Sequence, residues 1–191
     1  MHLVMCARNQ VMKNALTKEK EMTKVINLFG GPGVGKSTIA AGLFYNMKIA
    51  GYNVEAPQEW CKQKVYEGTK YPFKDQLYTY ACQNKLIKQL IGKVDYVICD
   101  SPLFLSVIYQ SEETPLFSAY ATENFNRYDN INFLIRRHHK YQPTGRLHTE
   151  KQSCEISTIL EEKLNEFNID YVPFNSGTAV KDILNILEIH V

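Results

Sequence analysis

Long apolar runs are the first thing missing from this chain. No stretch reaches the roughly 18 consecutive apolar residues that a membrane-spanning helix needs, and the opening MHLVMCARNQVMKNALTKEKE lacks the apolar core of a signal peptide. The expectation is a soluble, cytoplasmic protein in which residues 1–21 form a disordered extension. Met22 is an alternative initiator, because MTKVINLF reads as a natural start for a first strand. Patterned cysteines are missing too. Cys6, Cys61, Cys82, Cys99 and Cys154 are odd in number, scattered and without CxxC spacing, which argues against a disulfide framework or a thiolate zinc site and suits a reducing compartment. Nor is there a strong charge of either sign: a net +2 permits a phosphate-rich partner without requiring nucleic acid.

What is present begins with size. With 191 residues, 45% of them hydrophobic, the chain can close one core but hardly two, so residues 22–191 are expected to form a single domain. Its decisive stretch is VINLFGGPGVGKSTIAAGLF, residues 25–44. Val25 to Phe29 is a short, β-branched, apolar run that predicts a buried strand; Gly30 to Ser37 matches GxxxxGK[ST]; Ser37 to Met47 predicts a helix. Glycines at 30, 31, 33 and 35 remove side chains that would block phosphate oxygens, so successive backbone N–H groups can point inward at the helix N-terminus. Gly30, Gly31, Pro32, Gly33, Val34, Gly35, Lys36, Ser37 and Thr38 are therefore the expected ATP-binding residues, with Lys36 reaching the β/γ oxygens and the Ser37 hydroxyl ligating Mg²⁺.

The rest of the chain alternates strands and helices. Strands are expected at 53–56, 94–100, 130–136 and 169–174. A helix over 74–91 should turn Leu77, Tyr80, Ala81, Leu90 and Ile91 inward, a second should bury Ile156, Ile159, Leu160, Leu164 and Phe167, and a last one Val180, Ile183, Leu184 and Leu187. Repeated βα units imply an α/β three-layer sandwich with about five parallel strands, and ligands should collect at the carboxyl ends of those strands.

Three strand ends carry candidate chemistry. After the second strand, APQEWCKQ places Glu59 beside Trp60, the only tryptophan. Glu59 reads either as a capping or solvated glutamate or as a general base within reach of a hydroxyl. After the third, CDSPL puts Asp100 where it could hold Mg²⁺, directly or through water, or orient an attacking hydroxyl. Motor-type ATPases carry a second carboxylate immediately after this aspartate; here Ser101 and Pro102 follow. A GTPase base-reading NKxD is also missing, since Asn84-Lys85-Leu86-Ile87 lacks the aspartate. After the fourth comes IRRHHKYQPTGRLHTE, with Arg136, Arg137, Lys140 and Arg146 around a Pro-Thr-Gly turn. It reads as a solvated loop or as a lid, at about 136–152, that brings guanidinium groups to the γ-phosphate and excludes water. His138, His139 and His148 lack an accompanying ligand pattern and read as polar lid residues. Trp60, Tyr66, Tyr71, Phe73 and Tyr78 supply aromatics for packing or for stacking on a base.

Taken together, GGPGVGKST, QEW, YVICDSPL and RYDNINFLIRR…PTGRLHTE resemble the small P-loop kinases encoded by tailed bacteriophages, over roughly residues 22–190. These are relatives of the nucleoside and nucleotide kinases and include the 5-hydroxymethyluracil DNA kinases of thymine hypermodification, a route to evading host restriction. The resemblance implies a nucleoside-kinase-like P-loop NTPase fold acting in the host cytoplasm. It implies ATP and Mg²⁺ at Gly30 to Thr38, a metal or acceptor role for Asp100, Arg146 in the lid, and transfer to a base hydroxymethyl group in phage DNA. Related deoxynucleoside kinases place a glutamate base after strand two, which matches Glu59. Their acidic-Arg-Ser motif after strand three stands here as Asp100-Ser101-Pro102, without the arginine. A free deoxynucleoside or nucleotide kinase, and a non-catalytic nucleotide sensor, are the alternative expectations. Which of Glu59 and Asp100 is the base stays open.

Overall fold

The computed structural model describes residues 23–68, 75–110, 114–142 and 149–190. Five strands form one sheet: β1 (Lys24–Phe29), β2 (Val54–Glu55), β3 (Tyr96–Cys99), β4 (Asp129–Arg136) and β5 (Val172–Asn175). Their order is β2-β3-β1-β4-β5, and every pairing is parallel. The helices are α1 (Lys36–Ile49), α2 (Trp60–Tyr66), α3 (Gln76–Lys88), α4 (Leu105–Ile108), α5 (Pro115–Phe125), α6 (Glu150–Glu166) and α7 (Ala179–Ile186).

Strand alternation divides the core into two layers. Ile26 and Leu28 face α1 and α7, where Ile39, Leu43, Met47, Ile183 and Leu184 close one side. Val25 and Phe29 face the other side, covered by Tyr80 and Ile87 of α3, Phe104, Phe125 of α5, and Leu160 and Leu164 of α6. This is the expected three-layer arrangement. Asn27, 1% exposed on the central strand, interrupts the apolar pattern. Its Nδ2 donates to Asn130 Oδ1 at 2.8 Å and Asn132 Oδ1 at 2.9 Å, so the buried amide is satisfied within the sheet.

Several expectations shift in detail. The strands are shorter than, or offset from, the apolar runs, because β3 stops pairing at Cys99 and β5 begins only where Val172 meets Phe133. Leu77 is 60% exposed and Ala81 is exposed, against the expectation that they face inward. The buried face of α3 is Thr79, Tyr80, Gln83 and Ile87 instead. The helix is rotated toward two polar residues because these bond α2, a contact that hydrophobic periodicity does not register. Ile159 is likewise 45% exposed, and α6 buries Ser153 in its first turns together with Leu160 and Leu164. Helices α2, α4 and α5 add to those expected. The 1–21 extension and Met22 lie outside the described residues. No helix among the described residues is long and apolar enough to cross a membrane.

Candidate active site

The site forms where the sheet's strand order forces a crevice, because the chain leaves β1 to build β2 and β3 on one side and returns to build β4 and β5 on the other. Immediately after β1 the backbone enters the glycine loop, and its conformation needs glycine at defined places. Gly30, Gly33 and Gly35 have φ of 148°, 80° and 102°, the region that L side chains rarely adopt. Gly35 is also the N-cap of α1, so the helix starts at Lys36. Val34 is 3% exposed in the α1 layer and anchors the loop by packing.

The loop is held from three directions. A Cβ on Gly30 would lie 2.8 Å from the carbonyl oxygen of Ile135 in β4. One on Gly31 would clash with Ser157 Oγ and lie 2.7 Å from the Ser153 carbonyl oxygen of α6. One on Gly35 would lie 3.6 Å from both His139 Cε1 and Ser176 Cβ, so the segments after β4 and β5 both close on the loop. Ser176 Oγ accepts the His138 backbone N–H at 3.1 Å and sits 3.3 Å from His139 Nδ1, tying those segments together. The Lys36 ammonium donates to the carbonyls of Gly30 at 2.6 Å and Gly31 at 3.1 Å, which places its charge over the mouth of the loop.

On the β2–β3 side lies a cleft of roughly 790 Å³ that brings together Ser37, Glu59 and Asp100. Glu55, Gln58, Glu67 and exposed Tyr66 complete the polar part of its wall. Two of its four carboxylates are paired at the rim: Glu55 with Lys48 at 3.2 Å and Glu67 with Lys64 at 2.5 Å. No lysine or arginine lines it among the described residues. The exposed Ser37 hydroxyl and the half-buried Asp100 carboxylate fit a hard, oxygen-ligated cation shared with a polyphosphate. No cluster of three or more metal-ligating side chains occurs among the described residues.

Glu59 also acts on its neighbours. Burial chiefly, opposed by a hydrogen bond from Thr79 and reinforced by the Glu59 charge, pushes the Cys61 thiol up to about 11. Burial and then Glu59 push the Tyr109 phenol up to about 12. Both groups stay neutral at physiological pH. Trp60 packs edge-on against Tyr78 at 5.2 Å, which makes this pair part of the packing between α2 and α3.

The basic segment divides. Arg136 ends β4 and pairs with Glu161 at 2.6 Å. Arg137 turns toward α6: its Nη2 lies 3.3 Å from Glu150 and 3.2 Å from Cys154 Sγ, and Tyr141 stacks on the guanidinium at 5.2 Å. Its Nη1 is buried without a hydrogen-bond partner. Lys140 is exposed. Arg146, His148, Tyr71 and Phe73 lie outside the described residues. The sequence reading missed Ser153, Ser176 and Gln83. Ser176 could have been found as the first polar residue beyond the last parallel strand, while the other two give no local signal.

Comparison with known proteins agrees with this arrangement. Two solved structures of the deoxyadenosine kinase from M. mycoides share the fold. The one with products dCMP and a flexible dCDP bound has a TM-score of 0.53 and 21% identity, covering 86% of this chain and 98% of that one. The one with bound dATP has a TM-score of 0.50 and 18% identity, covering 86% and 99%. No curated protein matches significantly. The fold is that of a P-loop NTPase of nucleoside-kinase-like type. The profile of the AAA domain family matches residues 25–181, more than half of the sequence, and the chain belongs to that family.

Proposed function

We propose that the chain is an ATP-dependent kinase that transfers the γ-phosphoryl group to a hydroxyl of a free, uncharged, nucleoside-like acceptor. The observation that carries this reading is the cleft in which Ser37, Glu59 and Asp100 meet with no lysine or arginine in its lining among the described residues. Acceptors that already bear phosphate, whether nucleotides or DNA, call for arginine or lysine at their binding surface. Glu55 and Glu67 are paired with Lys48 and Lys64 at the rim, and the lining around Glu59 and Asp100 suits a neutral hydroxyl compound. The fold of the M. mycoides enzyme accommodates the same class of chemistry.

The glycine loop cradles the triphosphate with backbone N–H groups, and Lys36 slides from its loop carbonyls onto the β/γ oxygens. Ser37 and Asp100 would hold Mg²⁺, which would neutralise charge on the phosphates. Glu59 accepts the acceptor's hydroxyl proton. As the acceptor oxygen bonds to the γ-phosphorus, the bond from that phosphorus to the β–γ bridging oxygen breaks and ADP leaves. Arg137, which has a buried donor without a hydrogen-bond partner, and Arg146 stabilise the transferring group.

The test offers γ-labelled ATP to a panel of free nucleosides, mononucleotides and 5-hydroxymethyluracil DNA. Label on free nucleosides and little on phosphorylated acceptors is expected. ATP binding without transfer to any acceptor would instead make the chain a nucleotide sensor.

A further inference from the structure

Gln83 has a contact that packing does not explain. It lies on the inner face of α3, 5% exposed. Its Oε1 accepts the backbone N–H of Trp60 at 3.1 Å, while its Nε2 is buried with no hydrogen-bond partner. A glutamine whose amide donor is stranded in the interior is worse for stability than an apolar side chain of the same length. What it supplies is one well-placed acceptor.

The recipient of that acceptor matters. Trp60 opens α2, and its N–H is among the donors that a helix start leaves without an intrahelical partner. Glu59 immediately precedes it and lines the cleft with Asp100 and Ser37. The same turn is braced by the Trp60–Tyr78 ring contact at 5.2 Å and by Cys61 Sγ at 4.0 Å from Thr79 Oγ1, one helical turn before Gln83. Thus Tyr78, Thr79 and Gln83 of α3 hold the first two residues of α2, and the hydrogen bond to Gln83 fixes the peptide that joins Trp60 to Glu59.

We propose that Gln83 is a positioning residue for phosphoryl transfer: by holding the Trp60 N–H it sets where the Glu59 carboxylate stands relative to the acceptor hydroxyl. The inference rests on the reading of Glu59 as the base. Small displacements of a proton-accepting group are costly to rate, so loss of the anchor acts on turnover rather than on ATP binding.

The test compares Gln83→Met, Gln83→Glu, Glu59→Gln and the Gln83→Met/Glu59→Gln double variant, using free deoxynucleosides as acceptors. Methionine keeps length and volume and removes both the acceptor and the stranded donor, so the relief at Nε2 offsets the loss at the Trp60 N–H and the melting temperature should change little. We expect Gln83→Met to lower kcat by roughly ten- to a hundred-fold with KM for ATP unchanged. Gln83→Glu keeps an acceptor oxygen and should restore much of the rate. In the double variant the second change should add less than about two-fold, because both act on one group. Fluorescence of Trp60 reports the anchor directly: quenching by acrylamide should increase in Gln83→Met. Full turnover in Gln83→Met while Glu59→Gln is slow would overturn the positioning role alone. So would losses that multiply in the double variant. Full turnover in Glu59→Gln would remove the reading of Glu59 as base, and the inference with it.

Discussion

Ser153 Oγ donates a hydrogen bond to the carbonyl oxygen of Pro32, tying the first turns of α6 to the phosphate-binding loop across 121 residues of sequence. Helix α6 is itself fixed by a reciprocal cap, in which Thr149 Oγ1 accepts the Gln152 N–H and Gln152 Oε1 accepts the Thr149 N–H. The loop's shape therefore depends on the element that follows the basic segment. Ser153→Ala is expected to cost about 1 kcal/mol of stability and to raise KM for ATP more than it lowers kcat. Gly31→Ala, which forces a methyl against the Ser153 carbonyl, should cost about 1–3 kcal/mol and weaken ATP binding further. Chemical denaturation and ATP titration check both.

Lys36→Ala should abolish transfer with little change in melting temperature. The ammonium donates to the carbonyls of Gly30 and Gly31 in the loop. ATP binding should survive in part, through the backbone N–H groups. Near-normal turnover in a folded variant would contradict the assignment of the loop.

Glu59→Gln and Asp100→Asn both line the cleft and should both slow transfer, by different routes. Glu59→Gln removes the proton acceptor, for a loss of about 10²–10⁴-fold. Asp100→Asn should chiefly raise the Mg²⁺ concentration needed for half-maximal rate. Mg²⁺ titrations of the two variants separate them. Identical Mg²⁺ dependence would return Asp100 to a structural role at the end of β3.

How far the sequence foretold this arrangement differs between residues. Glu59, Asp100 and Ser37 were legible because each follows a strand or opens a helix in a parallel sheet, and topology alone brings such positions together. The glycine loop was legible because its backbone requirements dictate residue type. The orientation of α3 was not: apolar spacing favoured Leu77 and Ala81, whereas Thr79 and Gln83 are buried through contacts with the preceding helix α2, which periodicity within α3 does not register. The role of α6 in clamping Gly31 was hidden for the same reason, since serine at 153 and 157 carries no periodic signal.

Cys61 and Tyr109 are among the buried groups that set an alkaline limit on the fold. Their values in the folded chain, about 11 and about 12, lie above the 9.0 and 10.0 of exposed groups. Above pH 9 the unfolded chain releases protons that the folded chain keeps, so stability falls as pH rises through that window and is unaffected by these groups below it. Cys61→Ala should flatten part of the decline in melting temperature between pH 9 and about 11. A decline unchanged by that substitution would contradict the burial that raises the thiol.

The most direct measurement is the rate of label transfer from γ-labelled ATP as a function of salt, with a free deoxynucleoside and with long 5-hydroxymethyluracil DNA as alternative acceptors. A neutral acceptor held by a carboxylate-lined cleft releases no counterions on binding, whereas a DNA substrate does, in proportion to the phosphates neutralised. The account predicts faster transfer to the free nucleoside, with little dependence on salt. Preferential labelling of internal positions in the DNA, falling steeply as salt rises, would contradict it.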